Sequence, residues 1–135
     1  MAARTTPPFR ADHVGSLLRP PELLQARSDA AAGKITAAEL RAVEDDAIRD
    51  VVRMQEALGL QTATDGEFRR TSWHMDFIYQ LQGIHRTDEK IEVHFRNAEG
   101  KLDFTSAALK VDGRIGLDHT MFGPDFEFLK SVVTT

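Results

Sequence analysis

The chain has 135 residues, of which 41% are hydrophobic and 28% charged, and it carries a formal net charge of −4 and no cysteine. This length suffices for one domain with its own core, and mild acidity without a basic tract argues against nucleic acid as the main partner. The absence of cysteine excludes disulfides, a thiol nucleophile and any thiolate-ligated zinc held by this chain alone.

The N-terminal segment predicts an extended start. Residues 1–8 are expected to be a flexible lead-in, and residues 9–135 are expected to form the folded domain. Within "FRADHVGSLLRP" (residues 9–20), a short extended segment is expected to break at Gly15-Ser16, because glycine tolerates the turn conformations that other residues avoid.

Two helices are predicted next. The segment "PELLQARSDAAAG" opens with Pro21, which suits a first helical turn, and Gly33 lies just past its end. Thr36 and Glu39 then match a capping box, and Gly59 ends a long amphipathic helix predicted over residues 37–58. Its apolar residues recur at helical spacing: Leu40, Val43, Ala47, Val51, Met54 and Leu58.

The second half alternates between strands and helices. The pattern predicts a strand over residues 60–64, a turn at residues 65–67, and a helix over residues 71–82 that Gly83 stops. "KIEVHFRNAEGKLDF" predicts a hairpin, "AALKVDGRIGL" one or two further strands, and "GPDFEFLKSVV" a final helix. This order indicates an α/β protein with an inserted β-hairpin.

Two motifs fall at predicted strand ends, where α/β folds bind ligands. In "TDGEFRR", Asp65 could simply bond the local backbone while Glu67 pairs with an arginine, or Glu67 could bind a cationic group such as a substrate ammonium. In "DHVGS", Gly15 and Ser16 could form a plain turn, or could bind an anion with Arg19 nearby. The residues alone leave both pairs of alternatives open.

Other polar residues give weaker indications of a functional site. None of the five histidines lies at a metal-binding spacing such as H-E-x-x-H. His74, beside Trp73 at a helix start, is expected to be structural rather than catalytic. The acid-rich segment "AVEDDAIRD" is expected to be the solvated face of the long helix.

Together the motifs indicate one protein family much more specifically than each motif does alone. "FRADHVGSLLRP", "AIRDVVRMQEALGLQTATDGEFRRTSWHMDF" and "GPDFEFLK" resemble the N-terminal part of the cobalamin-independent methionine synthase family. The resemblance is to its short, single-barrel members, which are methyltetrahydropteroyltriglutamate–homocysteine methyltransferase-like. It covers about residues 9 to 131 and implies the N-terminal portion of a (β/α)8 TIM barrel with a hairpin inserted.

The resemblance also implies a chemistry and a site. Family members use zinc to bind the thiol of homocysteine or a related thiol as thiolate, which then accepts a methyl group from a methyltetrahydrofolate-type donor. The glycine-serine segment contacts the amino acid, and a glutamate after the second strand binds its ammonium. The resulting substrate-binding set is His13, Val14, Gly15, Ser16, Asp65 and Glu67. No catalytic residue or metal ligand is assigned in this chain.

The chain departs from the family in that it lacks the region of the zinc ligands. The family's zinc ligands are histidine, cysteine and glutamate residues of later strands, and a complete barrel needs at least about 200 residues. We therefore expect an incomplete barrel, inactive as an isolated chain and completed by a second chain or by self-association.

Other functions stay open at this point. The chain could be a non-catalytic module that binds a small amino acid or serves in an interaction, or a relative that alkylates another thiol such as coenzyme M. No apolar run approaches the roughly 20 residues of a membrane span, and "MAARTTPPFRADH" lacks a secretory signal's apolar core, so the expected compartment is the cytoplasm.

Overall fold

A computed structural model of the chain describes residues 15–97 and 100–134. The predicted lead-in and the predicted site residues His13 and Val14 lie outside these residues. The described chain is mixed α/β and divides into two compact units. The first unit contains the chain up to Arg70 and again from Phe122 onward, and the second unit spans Thr71–Met121. Its elements are α1 (Pro21–Ala31), α2 (Ala37–Ala57), α3 (Met75–Ile78), β1 (Gln82–Asn97), β2 (Gly100–Gly116) and α4 (Gly123–Val132).

The helices of the first unit begin and end where local signals placed them. Pro21 opens α1, and Gly33 follows its end with a φ of 71°. At the start of α2 the predicted capping box is present: the Glu39 N–H donates to Thr36 Oγ1 at 3.2 Å, and the Thr36 N–H donates to Glu39 Oε2 at 2.7 Å. The backbone hydrogen bond from Thr36 lowers the pKa of Glu39.

Replacing Thr36 with alanine is expected to lower the free energy of unfolding by about 1 kcal/mol, because the first turn of α2 loses its side-chain acceptor. Denaturant titration followed by circular dichroism would measure the loss. Thr62→Ala is the matched control, since Thr62 is exposed and makes no side-chain hydrogen bond with the described residues. Equal midpoints for the two variants would contradict the predicted role of the cap.

The core of the first unit lies between its helices. Five fully or almost fully buried side chains form it: Leu23, Ile48, Val51, Val52 and Phe68. α4 closes this core with partly buried residues, among them Phe128, Leu129 and Val132. α4 therefore packs on helices that precede it by many residues, although the whole second unit intervenes in the sequence.

The predicted strand over residues 60–64 is not formed among the described residues. The segment has no strand partner there, and the only described sheet is the pair β1–β2. Instead, the buried side chain of Gln55 pairs with the backbone of Thr64: its Nε2 donates to the Thr64 carbonyl at 2.8 Å, and its Oε1 accepts from the Thr64 N–H at 3.0 Å. A side-chain amide thus satisfies the backbone groups that a neighbouring strand would otherwise bond.

The predicted helix over residues 71–82 is also much shorter than expected. The carboxylate of Asp76 accepts hydrogen bonds from the backbone N–H groups of Thr71 at 2.7 Å and Ser72 at 3.3 Å, which folds these residues into a compact turn before α3. α3 ends at Ile78, and Gln82 already pairs with Gly116 in the sheet. The sheet hydrogen bonds of β1 therefore replace the last turns of the helix.

The second unit consists mainly of a long antiparallel ribbon. β1 pairs with β2 over most of their lengths, so the strands extend well beyond the segment "KIEVHFRNAEGKLDF", and "AALKVDGRIGL" continues β2. Gly83 does not stop a helix but lies in β1 with a φ of 73°, at a register shift. A Cβ there would lie 2.7 Å from the Arg114 carbonyl oxygen, so only glycine fits this bulge.

Candidate functional site

The segment "TDGEFRR" forms a tight turn with an unusual backbone. Gly66 and Glu67 have φ values of 66° and 56°, and the Phe68 N–H donates to the Asp65 carbonyl at 3.3 Å, as in a type I′ turn. Asp65 Oδ1 accepts from the Glu67 N–H at 2.9 Å. The side chain of Asp65 therefore stabilises the turn itself, as one of the two interpretations of this motif predicted.

Glycine is required at the first left-handed position. A Cβ on Gly66 would lie 2.9 Å from Phe68 Cε1 and 3.3 Å from Leu17 Cβ. Glu67 holds the second left-handed position despite its Cβ, which is uncommon for a residue other than glycine, asparagine or aspartate. Strained backbone of this kind is concentrated at binding and catalytic sites, because surrounding contacts must maintain it.

The turn lies beside the predicted glycine-serine segment. The Leu17 N–H donates to the Gly66 carbonyl at 3.1 Å, so the chain next to Ser16 and the chain next to Glu67 are hydrogen-bonded neighbours. Gly15 has a φ of 85°, and both Gly15 and Ser16 are exposed. The structure thus brings together the described parts of the two predicted motifs.

The carboxylate of Glu67 is available for a ligand. Glu67 is half-buried, and none of the described residues donates a hydrogen bond to its side chain or forms an ion pair with it. The simpler interpretation, in which Glu67 pairs with a following arginine, is therefore wrong for Arg69. Arg69 instead forms ion pairs with acidic residues of α2 and α4.

Those ion pairs form a partly buried charge cluster. The side chain of Arg69 is 7% exposed, and its Nη2 lies 2.6 Å from Asp45 Oδ1 and its Nη1 3.5 Å from Glu44 Oε2. Its Nε lies 3.1 Å from Asp125 Oδ1, but the N–H is not directed at that oxygen, so this contact is ionic rather than a hydrogen bond. Arg41 Nη1 also contacts Asp125 Oδ1, at 2.6 Å. The cluster joins α2 and α4 to the end of the Glu67 turn.

The prediction that "AVEDDAIRD" is a solvated helix face is wrong in part. Asp46 and Asp50 are exposed and pair with Arg49 and Arg53 on the surface of α2. Glu44, however, is buried, and burial raises its pKa while the charges of nearby arginines partly oppose that rise. Arginine side chains pack against this face of α2, and their positive charges stabilise the buried carboxylate.

Sequence reasoning missed the structural roles of three polar residues that hold the site together, one of which, Arg19, it had named only as a possible anion-binding residue. Arg19 and Arg27 donate to backbone carbonyls of the turn, and Gln55 bonds the backbone of Thr64. For Gln55 and Glu44 a signal existed, because both lie at helical spacing with the buried Ile48 and Val52 on the apolar face of α2. For the two arginines no local pattern distinguishes a backbone contact from a solvated charge.

Zinc does not fit the described residues. In residues 15–97 and 100–134 no group of three or more histidine, aspartate or glutamate side chains could hold a metal ion, and the full sequence has no cysteine. The ring of His74 contacts that of Trp73, with centroids 4.4 Å apart and planes tilted by 44°. His85 and His119 pair with Asp112 and Asp118. No step of a reaction can therefore be assigned to a metal held by these side chains.

Comparisons with known proteins give consistent results. Residues 9–98 match the family model of the cobalamin-independent synthase catalytic domain. The chain is 41% identical over 129 residues to the uncharacterized Bacillus subtilis protein YxjG, and 34% identical over 82 residues to the 5-methyltetrahydropteroyltriglutamate–homocysteine methyltransferase of a Synechococcus strain. A Listeria monocytogenes protein assigned as a vitamin-B12 independent methionine synthase has a similar structure, with a TM-score of 0.73 and 36% identity.

The matches cover this chain and those proteins unequally. The alignments include 96% of this chain but 33% of YxjG, and 61% of this chain but 11% of the Synechococcus enzyme. The Listeria structure covers 98% of this chain, which in turn covers 35% of it. The chain thus spans about a third of the length of YxjG and of the Listeria protein. Within the described residues, no helix has the length and apolarity needed to cross a bilayer.

Proposed function

Because the chain belongs to the cobalamin-independent methionine synthase family, we propose that it supplies the amino acid pocket of a methyltransferase that methylates homocysteine or a related thiol. In this proposal the chain is the N-terminal portion of a (β/α)8 barrel that carries the β1–β2 ribbon as an insertion. The donor is of the methyltetrahydrofolate type, the enzyme depends on zinc, and the compartment is the cytoplasm. The isolated chain is proposed to be inactive, because the family resemblance implies zinc ligands on later strands of the barrel.

The hydrogen bond between the Leu17 N–H and the Gly66 carbonyl, 3.1 Å long, carries this proposal. It makes the Gly15-Ser16 segment and the Glu67 turn neighbours in space. An amino acid has an ammonium and a carboxylate on one carbon, so its binding site needs an anion and a hydrogen-bond donor close together. Glu67 provides the anion, and Ser16 and the backbone of Gly15 provide donors.

The chemistry of this pocket is binding and orientation. The carboxylate of Glu67 forms a charge-assisted hydrogen bond with the substrate ammonium, which fixes one end of the amino acid. The donors of Gly15 and Ser16 fix its carboxylate, and the thiol side chain then extends in one defined direction. Holding a nucleophile in one orientation lowers the entropic part of the barrier to methyl transfer.

The remaining barrel is proposed to come from a second chain or from self-association. Support comes from apolar side chains of the first unit that are exposed to solvent, including Leu18 at 95% and Leu58 at 71%. A contiguous apolar patch is typical of an interface, and the proposal requires that these side chains form one.

The experiment that tests the pocket is a titration of the chain with homocysteine. Glu67→Gln is expected to weaken binding by about 10- to 150-fold, because it replaces a charge-assisted hydrogen bond with a neutral one. Calorimetry under reducing conditions measures the affinity. The fold is expected to survive, since Glu67 is only half-buried and no described residue depends on its carboxylate.

Two controls sharpen the result. Glu127→Gln removes an exposed carboxylate of α4 without a described partner and is expected to leave the affinity unchanged. 4-Mercaptobutanoate, which lacks the amino group, is expected to bind the parent and Glu67→Gln equally weakly. Equal homocysteine affinities for parent and Glu67→Gln would refute the pocket. Tighter binding of 2-mercaptoethanesulfonate than of homocysteine would favour a relative that alkylates coenzyme M.

A further inference from the structure

We infer that Arg19 is the positioning residue of this pocket: its guanidinium holds the backbone of residues 67–70 so that Glu67 keeps the left-handed conformation from which it binds the amino acid. The conformational part of this inference stands on contacts alone. The part that concerns the ligand rests on the proposed function of Glu67.

The guanidinium of Arg19 binds the turn from one side. Its Nη2 donates to the carbonyl of Glu67 at 2.7 Å and to the carbonyl of Arg70 at 2.8 Å, and its Nε lies 3.5 Å from the carbonyl of Phe68. Three peptide groups of a four-residue stretch thus converge on one side chain. The sequence suggested Arg19 as an anion-binding residue, but in the structure its donors are directed at these carbonyls.

The contact to the Glu67 carbonyl bears directly on its backbone. Glu67 has a φ of 56°, a conformation that Cβ-bearing residues avoid unless neighbouring contacts maintain it. Arg19 fixes the peptide group that leaves Glu67, and the Asp65 carboxylate fixes the N–H that enters it. The residue is therefore restrained at both ends, and its side chain projects from a fixed backbone.

Arginine suits this role better than lysine does. The guanidinium carries five N–H donors in a rigid planar fork and can bind carbonyls that differ in direction, whereas an ammonium is a compact charge on a flexible chain. Arg27 adds one bond, from its Nη1 to the Phe68 carbonyl at 2.8 Å. Arg27 thus supports the turn beyond Glu67. Of the two arginine side chains, Arg19 is the one that bonds the carbonyl of Glu67, which also accepts the Arg70 backbone N–H at 3.1 Å.

The first experiment compares backbone chemical shifts at residues 66–68 in the parent chain, in Arg19→Lys and in Arg53→Lys. Arg53 is the matched control because it is exposed and pairs with Asp50 on the surface of α2. In Arg19→Lys, Glu67 is expected to leave the left-handed region at least in part, while Arg53→Lys leaves its shifts unchanged. Unchanged shifts in Arg19→Lys would overturn the inference.

The second experiment is a double-mutant cycle with Glu67→Gly, since glycine adopts a positive φ without strain. Arg19→Lys is expected to raise the unfolding equilibrium constant by about tenfold in the parent and by clearly less in the Glu67→Gly background. Additive effects would contradict the inference. If Arg19→Lys alone does not fold, recovery of folding in the double variant supports the inference and failure to recover refutes it.

The third experiment measures homocysteine affinity. Arg19→Lys is expected to weaken binding by about tenfold although Glu67 retains its carboxylate. A displaced Glu67 backbone with unchanged affinity would refute the role in ligand binding. If the parent chain itself does not bind homocysteine, the proposed function fails, and the shift comparison and the double-mutant cycle still decide whether Arg19 maintains the turn.

Discussion

Replacing Arg69 with methionine is expected to lower the free energy of unfolding by about 3–5 kcal/mol, because removing one partner of a buried ionic cluster leaves the others uncompensated. The side chain of Arg69 is 7% exposed and contacts the carboxylates of Glu44, Asp45 and Asp125. After the substitution, Arg41 still contacts Asp45 and Asp125. The ion pair that remains to Glu44 among the described residues is the longer one to Arg27, at 3.8 Å.

The loss should depend on pH in a defined direction. Burial raises the pKa of Glu44 above its ordinary value of 4.5, and the nearby arginines oppose that rise. The folded state therefore binds this proton more tightly than the unfolded state, and the contribution of Glu44 to stability falls as pH rises through the range just above 4.5. Without Arg69 the pKa of Glu44 rises further. The loss of unfolding free energy caused by Arg69→Met should consequently be larger at pH 7 than at pH 5.

Denaturant titrations of the parent and Arg69→Met at both pH values measure this deficit. Arg53→Met is the matched control, since Arg53 pairs with Asp50 at the exposed surface of α2 and such pairs contribute about 0–1 kcal/mol. A loss of unfolding free energy no larger than that of Arg53→Met would show that the cluster does not stabilise the fold. A loss that grows on acidification would contradict the role assigned to Glu44.

The sequence predicted the helices of the first unit well because their signals are local. The capping box of Thr36 and Glu39 defined the start of α2, and the glycine after each of the first two helices marked its end. α4 followed from "GPDF" in the same way. Each of these signals acts within one or two turns of helix, so tertiary contacts do not alter it.

The failures arose where a side chain distant in sequence replaced an expected local bond. Residues 60–64 have the composition of a strand, but Gln55 bonds the backbone of Thr64. The segment after Arg70 has helical spacing, but Asp76 folds its start into a turn and β1 begins at Gln82. Such competition between partners is not encoded in the periodicity of either segment.

The proximity of the two motifs could be predicted from the sequence, but the backbone conformation of the Glu67 turn could not. The motifs identified Ser16 and Glu67 as neighbours, and the hydrogen bond from Leu17 to Gly66 is in accord with that placement. The left-handed backbone of Glu67 could not be predicted, since the sequence favours glycine for such a conformation and offers it only at Gly66. The arginines that maintain it bind backbone carbonyls, and backbone carbonyls carry no sequence signal.

Replacing Phe68 with alanine is expected to lower the free energy of unfolding by about 3–5 kcal/mol, because the ring is 1% exposed and its removal leaves a cavity in the core of the first unit. The ring packs with Leu23, Ile48 and Val52 and so connects the Glu67 turn to both α1 and α2. Phe68→Leu keeps part of the volume and should lose less. The stability of the core and the geometry of the pocket therefore depend on adjacent residues of one turn.

Phe126→Ala is the matched control for this substitution, because Phe126 is 61% exposed on α4 and its removal should change stability by no more than about 0.5 kcal/mol. The ring of Phe68 also excludes any side chain at Gly66, since a Cβ there would lie 2.9 Å from it. In Phe68→Ala the core packing that anchors the turn is lost, so the homocysteine affinity should fall together with stability. Loss of stability with an unchanged affinity would show that Arg19 and Asp65 are sufficient to hold Glu67 in place.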